Sequence, residues 1–243
     1  MRLPRLFIDI PLAVNQRIYL PSEASHYTAH VLRLRVNDSF ILFNGQSGEY
    51  QAKIIAITKK NVEIQIDEFY NIEKESPLQL TLVQAISRPE HMDYALQKSV
   101  ELGVHHIVPV LTERSPPLDK NRLEKREQHW QKIIISACEQ CGRNRLPTLS
   151  PIQSLMQWLA IDSPVENRIV LSPQSQLNLP QAIIKNSQQL TILVGAEGGL
   201  TIQEIQQASL ANYTEVSLGP RILRTETAAI AILALCQGLW GDL

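Results

Sequence analysis

Two arginines and a glutamate fall close together near the end of the chain, in Leu218-Gly-Pro-Arg-Ile-Leu-Arg-Thr-Glu-Thr-Ala228. Gly219 can take backbone angles closed to other residues, and Pro220 fixes its own φ and disfavours helix just before it. The segment therefore turns before the apolar run Ala228 to Cys236 sets up a helix, for which Thr225 is a fair N-cap. Arg221 and Arg224 lie in that turn, against a helix N-terminus whose dipole already favours anions. The chemistry such a loop can do is to bind an anion or to stabilise one that develops during a reaction. The competing reading is a solvated turn with surface arginines.

A second loop, Gly195-Ala-Glu-Gly-Gly199, sets three glycines around one carboxylate. Backbone amides at Gly195, Gly198 and Gly199 can approach a ligand closely, and Glu197 adds a negative group. The spacing is not G-x-G-x-x-G and no P-loop lysine follows, which argues against a Rossmann dinucleotide site and an NTPase. A third short loop is Leu171-Ser172-Pro173. All three follow strand-like runs, Arg168 to Leu171, Leu190 to Gly195 and Glu215 to Leu218. They belong to an alternating pattern that starts with a strand-like run at Leu78 to Ile86 and a helical spacing at Glu90 to Leu102, closed by Gly103. A strand-like run at Ile107 to Leu111 follows, then helical stretches at Asn121 to Cys141 and Ile152 to Leu159. Thr201 and Glu204 have capping-box spacing. Strands alternating with helices predict a mostly parallel sheet covered on both faces, with ligands outside the carboxyl ends of its strands. The three loops are then candidates for one pocket rim.

Residues 1 to about 70 read differently. Arg5 to Ile10, Arg17 to Leu20, Ser39 to Phe43, Tyr50 to Ile57 and Val62 to Ile66 are short strand-like runs. The last two form a predicted hairpin across Lys59-Lys60-Asn61, and one helix, about Glu23 to Leu32, interrupts the series. Many short strands joined by polar turns predict a small barrel. Arg2, Arg5, Arg17, Arg33, Arg35, Lys59 and Lys60 make this half locally basic, as an RNA-docking module or as solubilising charge. The polar, proline-terminated stretch Asn71 to Pro77 marks the boundary, giving domains at 1–72 and 73–243.

A formal net charge of -1 over 243 residues argues against a wholesale polyanion binder without excluding local basic patches. The N-terminus lacks a signal peptide's apolar core, and Ala228 to Cys236 is too short to span a bilayer, so a cytoplasmic protein is expected. Cys138 and Cys141 form a C-x-x-C at the end of a helical pattern, without the second ligand pair of a zinc site. A structural role is favoured over redox or metal chemistry. His26 and His30 share one helix face, again without a third ligand, and read as a solvated or capping pair.

Several of these segments resemble one family. Leu218 to Ala228 is similar to the last signature of the RsmE-type 16S rRNA (uracil-N3) methyltransferases, a branch of the SPOUT methyltransferases. Val194-Gly-Ala-Glu-Gly-Gly-Leu200 resembles the family's Gly-Pro-Glu-Gly-Gly loop, with Ala196 in place of the usual proline, which loosens it slightly. Leu171-Ser-Pro, Glu113-Arg114-Ser115 and Glu139-Gln-Cys-Gly-Arg-Asn-Arg145 match further segments, so the resemblance covers almost the whole chain.

The resemblance implies a trefoil-knotted, mostly parallel α/β domain preceded by a PUA-like barrel. It also implies a homodimer, and S-adenosylmethionine held by Leu171, Ser172, Val194, Gly195, Glu197, Gly198, Gly199, Ser217, Leu218, Gly219, Ile222 and Leu223. The expected substrate is 16S rRNA within the small ribosomal subunit, with Arg2, Arg5, Arg33, Arg143 and Arg145 expected to contact RNA. Neither metal nor membrane is expected. Uracil N3 must lose a proton before it attacks a methyl donor, so Arg224, with Arg221 or Arg5, is expected to stabilise the developing anion. Glu226 or Glu197 is expected to accept the proton or orient the arginine, with capping of first-turn amides as the alternative for Glu226. A non-catalytic RNA-binding protein with a degenerate α/β dimerisation scaffold is the competing class.

Overall fold

Short apolar runs become strands wherever they can bury one or both faces, and they do so in two groups. The computed structural model describes residues 3–46, 48–161, 167–182 and 188–243. The chain divides into two compact units, one of residues 1–75 with 138–146 and the other of residues 76–137 with 147–243.

The first unit is a mixed sheet of β1 (Arg5–Phe7), β2 (Arg17–Tyr19), β3 (Ser39–Phe43), β4 (Glu49–Ile57) and β5 (Val62–Tyr70), in the order β1-β3-β4-β5-β2. β1 pairs parallel with β3 and the other pairs are antiparallel. Along β5 the alternation is clean: Val62, Ile64 and Ile66 are buried with Phe40, Leu42 and Ile54, while Glu63 and Gln65 face outward. The mixed sheet is that of the expected small PUA-like unit, and among the described residues its strands form one path with β1 and β2 at its ends. The expected helix is α1 (Ser22–His26) continued by a π-helical turn (Tyr27–Val31), in which the Leu32 amide donates to the Tyr27 carbonyl at 2.9 Å.

The second unit begins with β6 (Gln79–Ala85), α2 (Pro89–Glu101), β7 (Val104–Leu111) and α3 (Leu123–Cys141). The short β8 (Thr148–Leu149), β9 (Gln153–Ser154) and α4 (Leu155–Leu159) follow. β10 (Asn167–Leu171), α5 (Leu179–Ala182), β11 (Gln189–Val194), α6 (Ile202–Leu210), β12 (Thr214–Val216) and α7 (Thr225–Trp240) complete it. Its strands run in the order β12-β10-β11-β6-β7-β8, with β9 also on β7, and every pairing is parallel. Strands buried on both faces need no alternation, and Val83, Val108, Val110, Val170 and Leu193 share one core. Capping boxes start α4 (Ser154 with Gln157) and α6 (Thr201 with Glu204), and Gly103, at φ +77°, ends α2. No helix among the described residues is long and apolar enough to cross a membrane.

The division differs from the expected break between residues 72 and 73. Glu75 pairs with Arg143, whose Nε donates to it at 3.0 Å, so the first unit extends to Glu75 and takes in Cys138–Leu146. Ser76 begins the second unit, donating from its hydroxyl to Gln237 Oε1 at 2.7 Å.

Burial pushes the thiols of Cys138 and Cys236 up to about 12, whereas Cys141 is only partly buried. A thiol held that far above neutrality is not a redox nucleophile, which favours the structural reading of the C-x-x-C. Titration of the native protein with a chromogenic disulfide at pH 8 should report reaction at Cys141 alone, and at all three cysteines after denaturation. Rapid native reaction of Cys138 would contradict its burial.

Candidate active site

Because β12, β10 and β11 are adjacent and parallel, with Leu171 opposite Val216 and Val170 opposite Leu193, their carboxyl ends release three loops side by side. The loop after β10 is tied to the one after β12 by two main-chain bonds. Ser172 donates to the Val216 carbonyl and Ser217 donates to Leu177, each at 2.9 Å.

The glycine loop is shaped by close approach. The Gly199 amide donates to the Ala196 carbonyl at 2.8 Å, with Gly199 at φ +71°. A Cβ on Gly195 would lie 2.9 Å from the Gly199 carbonyl carbon, so only glycine fits. Three elements brace the loop. Arg114, after β7, donates to the carbonyls of Gly198 at 2.6 Å and Leu200 at 3.3 Å. The Arg88 amide, at the start of α2, donates to Glu197 Oε1 at 2.8 Å. Thr225 donates to the Gly195 carbonyl at 2.6 Å and accepts from Gln84 Nε2 at 3.0 Å. This bracing supplies rigidity that a proline at Ala196 would otherwise add. Thr225 is the first helical residue and Arg224 the N-cap, so the threonine expected to cap α7 instead fastens that helix to the glycine loop.

In the third loop Gly219 stands at φ +92°, and its amide donates to Ser217 Oγ at 3.3 Å. Arg221, Ile222 and Arg224 are exposed, Ile222 at 87%. Among the described residues neither guanidinium takes a hydrogen-bond or ion-pair partner. Leu171, Ser217, Leu218 and Leu223 are half-buried at the rim, and Val194 and Ser172 are buried beneath it. The positions where a side chain would stand on Gly199 and Gly219 face open space, with nothing within 4 Å. Main chain open on that side fits a ligand gripped by backbone groups.

Glu226 is buried in the first turn of α7. Its Oε1 lies 3.1 Å from His91 Nδ1 of α2, and its Oε2 is buried without a partner among the described residues. The contact joins α7 to α2 at a helix start, where the dipole favours the glutamate's charge. Glu197 is exposed but has one oxygen committed to Arg88.

The basic residues of the first unit separate into distinct groups. Arg2 lies outside the described residues. The expectation that Arg5 and Arg143 present free guanidinium groups to phosphate is corrected, for both are buried. Arg5 pairs with Glu49, donates to Asn144 Oδ1 at 2.6 Å and to the Arg143 carbonyl at 3.2 Å, and lies 4.9 Å over the Phe43 ring. Arg145 is exposed but donates to Glu73 at 2.8 Å. Arg33 is exposed at φ +55°.

Sequence reasoning missed Arg88, His91 and Gln84 and gave Arg114 no place in the glycine loop. The only signal for Arg114 is its place in the Glu-Arg-Ser segment, since the carbonyl it holds is 84 residues away.

The second unit thus brings three loops together at neighbouring strand ends of a parallel sheet, and the first is built on a mixed sheet. The chain matches the RNA methyltransferase domain family over residues 74–237 and the RNA methyltransferase PUA domain family over 20–67. It is 35% identical over 243 residues to the ribosomal RNA small subunit methyltransferase E of Buchnera aphidicola from Acyrthosiphon pisum, covering 99% of this chain and 95% of that one. It is 28% identical to the protein of that name in Bacillus subtilis, covering 88% and 87%. Among solved structures, a Neisseria gonorrhoeae ribosomal RNA small subunit methyltransferase E bound to S-adenosylmethionine superimposes with a TM-score of 0.92 at 41% identity, over the whole of both chains. A Legionella pneumophila methyltransferase with the same cofactor bound gives 0.94 at 36% identity, again over both whole chains. The chain belongs to the ribosomal RNA small subunit methyltransferase E family.

Proposed function

We propose that this protein transfers a methyl group from S-adenosylmethionine to N3 of a uridine in 16S rRNA, as it sits in the small ribosomal subunit. The observation that carries the reading is the pair of exposed guanidinium groups, Arg221 and Arg224, without a partner among the described residues, on a loop beside the open glycine main chain. When bound, the cofactor supplies an electrophilic methyl group. The residues that would hold it are Leu171, Ser172, Val194, Gly195, Glu197, Gly198 and Gly199, with Ser217, Leu218, Gly219, Ile222 and Leu223 on the third loop.

Uracil N3 becomes nucleophilic when its proton leaves and charge spreads over the flanking carbonyls. Arg224 stabilises that charge, assisted by Arg221, as fixed cationic donors do at a developing oxyanion. Glu226 keeps the start of α7 in place, and the exposed oxygen of Glu197 is the carboxylate left to take the proton. The target base must be unpaired or flipped, because pairing hides N3. The protein works as a cytoplasmic homodimer. Leu235 and Leu239 of α7 support the pairing, standing half-exposed on the helix whose Ile232 and Leu233 are buried.

The test incubates the protein with S-adenosylmethionine and small ribosomal subunits, or 16S rRNA, from cells lacking the gene, and maps the product by nucleoside mass spectrometry. N3-methyluridine is expected. A methyl group on ribose or on another base overturns the assignment. Gly195→Ala should weaken cofactor binding measured by calorimetry roughly 10- to 100-fold, the effect of about 1–3 kcal/mol of overpacking against main chain that has no free side-chain end to yield. Undiminished affinity would remove that loop from the binding site.

A further inference from the structure

The first unit carries a cavity of about 350 Å³ between α1, the π-helical turn and the β4–β5 hairpin. Its charged and aromatic lining is His26, His30, Lys59 and Lys60, with Ser22 and Asn61 adding neutral polar groups, and no lining residue is acidic. The local fold builds it. The widened π turn keeps His26 and His30 on one side with ring centroids 4.7 Å apart, and the Thr58–Asn61 turn, closed by a 2.9 Å main-chain bond, lifts both lysines to the opposite rim.

We propose that this cavity is a phosphate-and-base subsite for the substrate RNA. The ammonium groups of Lys59 and Lys60 neutralise backbone phosphate, and the histidine rings offer a face on which an unpaired base stacks. Three observations converge on that occupant. Of the arginines expected to meet RNA, three are spent internally, Arg5 on Glu49, Arg143 on Glu75 and Arg145 on Glu73. Neither Lys59 nor Lys60 has a hydrogen-bond or ion-pair partner among the described residues. All the lining residues fall inside the 20–67 match to the RNA methyltransferase PUA domain. The inference rests on the proposed activity toward small-subunit rRNA and narrows the locally basic half to one cavity rimmed by Lys59 and Lys60.

The experiment compares wild type, Lys59→Ala/Lys60→Ala and Lys59→Arg/Lys60→Arg. It measures binding to a labelled 16S rRNA fragment over a range of salt, cofactor affinity by calorimetry, and thermal melting. The alanine pair should bind RNA about tenfold more weakly and flatten the slope of log K against log salt by roughly 1.5. Cofactor affinity and melting should be unchanged, and the arginine pair should restore RNA binding. An alanine pair with wild-type RNA affinity and slope, in an enzyme whose wild type binds and methylates the RNA, overturns the subsite and leaves the proposed activity standing. A wild type that neither binds nor methylates small-subunit RNA overturns both.

Discussion

Arg5→Ala should strip the first unit of about 3–5 kcal/mol of stability, the usual result of deleting one partner from a buried ion pair. Glu49 would be left with a desolvated charge, and Asn144 and the Arg143 carbonyl would lose their donor. The loss exceeds the value of the contact itself, because most of it is the penalty on what remains. Hydrogen exchange should report it directly, with amide protection in β3 and β4 falling by about two to three orders of magnitude. A paired Arg5→Met/Glu49→Leu change should recover much of the loss, since an apolar pair of similar volume carries no stranded charge. Unchanged protection in Arg5→Ala would mean that the guanidinium is not buried in solution, and would return Arg5 to the pool of RNA-binding candidates.

The second large effect belongs to the opposite kind of arginine. Arg224→Ala should lower kcat on the order of 10²- to 10³-fold, comparable to removing one fixed donor from a developing oxyanion. Its exposed side chain, without a partner among the described residues, supports no other part of the fold, so melting and cofactor affinity should stay near wild type. Arg224→Lys should recover only part of the rate, because a point charge replaces a planar fork of donors. Full activity in Arg224→Ala would remove that arginine from the reaction. The two arginines therefore give opposite signatures, one in stability and the other in turnover.

Both residues look alike in the sequence, and this marks the limit of what could be read there. The α/β alternation, the three loops and the hairpin at Lys59–Asn61 were legible because each depends on residues within about ten positions of one another. Apolar runs make parallel strands, glycines permit left-handed turns, and Thr201 with Glu204 is a local box. Arg5 could not be sorted from Arg224 because its partners stand 44 and 139 residues away, and a charge shows its burial only when both ends of the pair are known. Thr225 was misplaced by one position because its hydroxyl serves Gly195, 30 residues upstream, rather than its own helix. The π turn after α1 has no local sequence signature, so a plain helix was expected there.

The first unit is assembled from two stretches of chain separated by residues 76–137. A nascent polypeptide emerging from the ribosome would have β1 to β5 in hand yet lack Asn144, and Arg143 to answer Glu75, until that intervening length had been translated. At ordinary elongation rates the wait is on the order of ten seconds. During it Arg5 has Glu49 but not its partners at 143 and 144, and the Glu75 carboxylate must stay hydrated. The unit that comes off the ribosome first is thus completed in two instalments, and a fragment ending at residue 75 would be a folding intermediate cut short.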